Sequence, residues 1–78
     1  MNYVEIIIGS VGRSGQRIST VREIESAFEE ASMWARRLEL ARRKNSVYRY
    51  LVTKDRMRAT HVIDLTRVVH VIVYGGDL

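Results

Sequence analysis

Between Arg36 and Arg58 the chain carries nine basic residues: Arg36, Arg37, Arg42, Arg43, Lys44, Arg49, Lys54, Arg56 and Arg58. Only Glu39 and Asp55 oppose them, so this stretch is locally +7 in a chain whose net charge is +4. Arginine forks suit phosphate oxygens, because each guanidinium offers two parallel donors in one plane. The chemistry they suggest is therefore the holding of a nucleic-acid backbone or another polyanion. The same charges also have a structural account. Acids early and bases late on a helix complement its dipole, and Glu39 stands four residues before Arg43, the spacing of a helical ion pair. Arginines of this kind also dock acidic protein surfaces, so an interaction or inhibitor module of the accessory or phage type is the alternative reading.

A second candidate is the stretch "IGSVGRSGQR", with Gly9, Gly12 and Gly15 three residues apart and Arg13 and Arg17 beside them. It sits where a strand is expected to lead into a helix, the position of phosphate loops. The spacing argues against that role. A P-loop follows its last glycine with lysine and then Ser or Thr, whereas Gln16 follows Gly15; a dinucleotide fingerprint starts with glycines two apart, and these are three apart. The glycines from 9 to 15 read as a turn needing positive φ, and no cofactor is expected.

His61, Asp64 and His70 form the single metal-like set. An odd separation places His61 and Asp64 on opposite faces of a strand, and the chain has no cysteine to assist. No metal site and no catalytic residue is expected, since nothing resembles a nucleophile elbow and a chain of 78 residues leaves little volume for a cleft. The expected class is a non-enzymatic binding module.

The elements that must position these groups are readable from patterning. Residues 3–8, "YVEIII", read as a strand, with Val11 and the "QRIS" after Gly15 as its hairpin partner. Thr20 and Glu23 make a capping-box pair and predict a helix from that point. Ile24, Ala27, Phe28, Ala31, Trp34, Ala35 and Leu38 fall on its apolar arc, and Asn45 offers a left-handed cap at its end. Residues 47–53, 60–65 and 68–74 read as three further strands, the first two joined by "KDRMR". The expectation is one two-layer α+β domain over residues 1–78. One amphipathic helix packs on a mostly antiparallel sheet of about four strands, in the order β-α-β-β-β.

Such a sheet has one face without a helix. If the helix covers the face of Val69, Val71 and Val73, the other face shows Tyr3, Ile7, His70, Ile72 and Tyr74, with Tyr48 or Tyr50 joining them. A half-aromatic face of this kind favours a second copy of the chain, so a homodimer is expected beside a nucleic-acid or protein partner. No stretch approaches eighteen apolar residues and no secretory pattern opens the chain. With cysteine absent as well, the expected location is the cytoplasm, with no membrane contact.

Overall fold

The computed structural model describes residues 2–9 and 15–75, and shows one helix packed against antiparallel strands, an α+β fold. Among the described residues there are five strands rather than four, and their order is β-β-α-β-β-β. Strands β1 (Tyr3–Ile8), β2 (Gln16–Val21) and β5 (Val68–Tyr74) form one sheet in the order β2-β1-β5, while β3 (Tyr50–Lys54) and β4 (Thr60–Asp64) form a separate hairpin. Every ladder is antiparallel. The glycine stretch therefore joins two strands, not a strand to a helix, and the phosphate-loop geometry fails at its first requirement. Gly9 has φ 88, which suits the turn reading; residues 10–14, with Gly12 and Arg13, lie outside the described residues.

Helix α1 (Ala27–Ala41) starts six residues later than the Thr20 capping pair predicts. Thr20 lies inside β2, buried, where its hydroxyl donates to the Val4 carbonyl at 3.5 Å. The working cap is Ser26, whose Oγ accepts from the Glu29 amide at 3.3 Å. Ser26 and Glu29 repeat the Ser/Thr-x-x-Glu pattern, so the sequence offers two starts, and strand pairing with β1 takes the first of them. Replacing Ser26 by Ala is expected to lower stability by about 1 kcal/mol, whereas Glu23→Ala leaves the melting temperature within a degree or so; thermal unfolding of the two variants checks this. At the other end Arg42 caps the helix with φ −83, and its amide donates to the Leu38 and Glu39 carbonyls. Asn45 is indeed left-handed, at φ 58, but in the turn after the cap.

The buried stripe of α1 is rotated from the expected arc. Glu30, Trp34 and Ala41 are buried and Leu38 packs beside them, while Ala31 and Ala35 are exposed and Phe28 is 82% exposed. A buried glutamate is tolerated because its carboxylate is matched: Arg22 reaches Oε2 at 3.1 Å and the Trp34 indole N–H donates to the same oxygen at 3.1 Å. Ile24 is buried too, but in the connection before the helix.

The core lies between the β2-β1-β5 sheet, the helix and the hairpin. Val4 and Ile6 from β1, Ile18 from β2 and Val68 from β5 meet Trp34 and Ala41, with Ile63 and Leu65 closing the hairpin side. A register shift between Ile7 and Ile8 pairs Ile8 with Val68. This bulge turns Val68 into the core and leaves Val69 46% exposed, the reverse of strict alternation.

Candidate polyanion-binding site

The expected basic region does not fold into one surface. Arg42, Arg43, Lys44 and Arg49 gather around a concavity at the C-terminal end of α1, together with Ala41, Asn45, Ser46 and Thr66. Lys54 stands at the far end of β3, in register with Thr60, while Tyr50 at the near end pairs with Asp64. Four strand steps separate those ends by roughly 14 Å, and Arg56 and Arg58 lie in the turn beyond. Arg36 and Arg37 line a different groove, on the flank of α1.

Most of these arginines already hold the fold. Arg42 donates to the Val68 carbonyl at 3.1 Å and Arg37 to the Tyr50 carbonyl at 3.4 Å, whereas Arg43 makes only the expected i,i+4 pair with Glu39, at 3.7 Å on the exposed surface of the helix. Arg49 holds Asp64 at 2.9 Å and lies over the Tyr50 ring, as Arg37 lies over Tyr48. Tyr50 lies in the β3–β4 hairpin, a separate sheet from Tyr3 and Tyr74, and does not join their face, while Tyr48 stands in the turn before β3 under Arg37. Arg56 lies over the Tyr3 ring, 5.4 Å from its centroid, and its amide donates to the Ser19 carbonyl at the outer edge of β2. Among the described residues Arg42 and Lys44 are the two cations of the concavity without an acidic partner.

Asp64 and Asp55 organise the two ends of the hairpin. The Arg49 guanidinium, and then the Thr66 hydroxyl, donate to Asp64 and hold its carboxyl well below the usual range. Asp55 is lowered first by its hydrogen bond with His61, at 2.7 Å, and then by the Ala59 amide; it also accepts from Met57 and so shapes the turn in which Arg58 adopts φ 66. Both carboxyls titrate lower folded than unfolded, where 3.8 is the ordinary value, so the folded chain binds fewer protons in that range. Their contribution is complete above about pH 5 and is lost as pH falls through the folded values. Chemical denaturation between pH 7 and 2 should show this decline, and Asp64→Asn should make it shallower.

His61 and Asp64 stand on opposite faces of β4, and each has its own partner, Asp55 and Arg49. His70 lies on β5, in the other sheet. Sequence reasoning missed Thr66 and Ser46, which line the concavity; only the turn positions just beyond the hairpin and helix could have flagged them.

Tyr3, Ile7, His70, Ile72 and Tyr74 do share one face of the sheet, since Tyr3 pairs with Tyr74 and Ile7 with His70. The Tyr3 and Tyr74 rings stack with centroids 4.4 Å apart. Glu5 and Arg17, joined at 2.8 Å, interrupt this face with a charged pair.

No helix among the described residues is long and apolar enough to cross a membrane. The chain matches no protein-family model, and no curated protein or solved structure is significantly similar to it.

Proposed function

We propose that this chain is a non-enzymatic binding module, cytoplasmic in location, that holds the phosphate backbone of a nucleic acid in the concavity at the end of α1. The observation that carries this reading is the convergence there of Arg42, Arg43, Lys44 and Arg49, two of them without an acidic partner among the described residues. The helix C-terminus itself repels anions with roughly half a unit of negative charge. Four cations against Glu39, Asp64 and that half charge still leave the site positive. The contacts available are to phosphate, so affinity should depend on salt and little on base sequence.

The test is fluorescence anisotropy of mixed-sequence single- and double-stranded DNA and RNA at two salt concentrations. Micromolar binding that weakens steeply with salt supports the proposal, and no binding at low salt overturns it. A second copy is the further partner proposed, on the strength of the apolar residues Tyr3, Ile7, Ile72 and Tyr74 on the face away from the helix. Light scattering on the same samples reads the mass; a monomer at high micromolar concentration removes that part.

A further inference from the structure

A second concavity, of about 310 Å³, runs along the flank of α1 beside β3. Its apolar lining is Met33, Trp34, Leu40 and Leu51, and its cations are Arg22, Arg36 and Arg37. Glu30 also lines it, but that carboxylate is spent on Arg22 and the Trp34 indole. Among the described residues neither Arg36 nor Arg37 has an acidic partner, and the Arg37 Nε is buried without an acceptor. The outer nitrogens of Arg37 still face the groove, one donating to the Tyr50 carbonyl, so its charge and that of Arg36 are balanced by no carboxylate and are open to an incoming one.

We infer that this groove is a docking site for a protein segment that presents bulky apolar side chains flanked by Asp or Glu. The apolar lining would take the side chain, and Arg36 and Arg37 would take the carboxylates. Met33, 59% exposed, adds a flexible, polarisable wall of the sort that adapts to varied apolar partners. The groove covers its occupant from one side, which suits an anchor residue of a larger partner better than a small molecule needing enclosure. Charge complementarity selects an acidic segment over a basic one. The inference stands on different residues from the phosphate site and does not depend on it.

Trp34 is the sole tryptophan of the chain and lines the groove, so its emission reports occupancy directly. The probe is a synthetic amphipathic helix of Leu, Phe and Glu. Two controls accompany it, one with Lys for every Glu and one with Ser for every Leu and Phe. The Leu-Phe-Glu peptide should change Trp34 emission saturably, and both controls should fail. Arg36→Glu and Met33→Asp, at exposed positions, should each weaken the titration about tenfold. Arg43→Glu with Lys44→Glu, in the other concavity, should leave it unchanged. Equal responses to all three peptides overturn the proposal, as do unchanged titrations in the groove variants. Competition by mixed-sequence DNA overturns it too, by making the groove part of a general polyanion surface; loss of DNA binding alone bears only on the phosphate site.

Discussion

Ile6→Ala lowers the unfolding free energy by about 3 kcal/mol, among the largest stability effects expected of a single truncation here. Ile6 is fully buried at the middle of β1, the strand with a partner on each side, paired with Ile18 and Val71. Removing its branched side chain forfeits burial and opens a cavity that two ladders prevent from collapsing. A domain of 78 residues holds only roughly 4–12 kcal/mol, so a quarter or more of the total is at stake. Urea titration should show a lower midpoint at an unchanged slope. A loss below 1 kcal/mol would mean that the sheet, helix and hairpin do not share one core.

Arg43→Glu with Lys44→Glu lowers nucleic-acid affinity by roughly a hundredfold at moderate salt and reduces the salt slope by about two. The pair is chosen because neither side chain holds the fold: Arg43 contacts Glu39 only at 3.7 Å on the surface, and Lys44 is exposed. Arg42 and Arg49 are poorer test positions, since the first donates to the Val68 carbonyl and the second holds Asp64. Lys54→Glu with Arg58→Glu, at the other end of the hairpin, is the control and should cost much less. Equal losses in both double variants would mean that net charge, rather than the concavity, sets the affinity.

The strands were the most legible part of the fold, because β-branched runs bounded by glycine or charged turns have few other uses. The helix start was not, since Thr20–Glu23 and Ser26–Glu29 satisfy the same rule and only the pairing of β2 with β1 selects between them. Nor was its buried face. Alanines weigh little on a wheel, and a pattern that assigns glutamate to solvent cannot foresee Arg22 and Trp34 receiving Glu30 inside. The basic run read as one region because sequence distance hides the hairpin that carries Lys54, Arg56 and Arg58 away from Arg42, Arg43 and Lys44. Which arginines were committed to carbonyls and carboxylates is a property of the folded chain alone.

The strand order has a kinetic side. The central strand β1 comes first in sequence and its neighbour β5 comes last, Tyr3 pairing with Tyr74. That ladder closes a loop of nearly the whole chain, and its entropy must be paid before either strand gains from the contact. Helix and hairpins can form locally within microseconds, yet each leaves one side of its apolar surface wet until β5 arrives. The passage to the native state is thus governed by a long-range search, and β1 spends that interval with one edge unpaired and open to β-strands of other molecules.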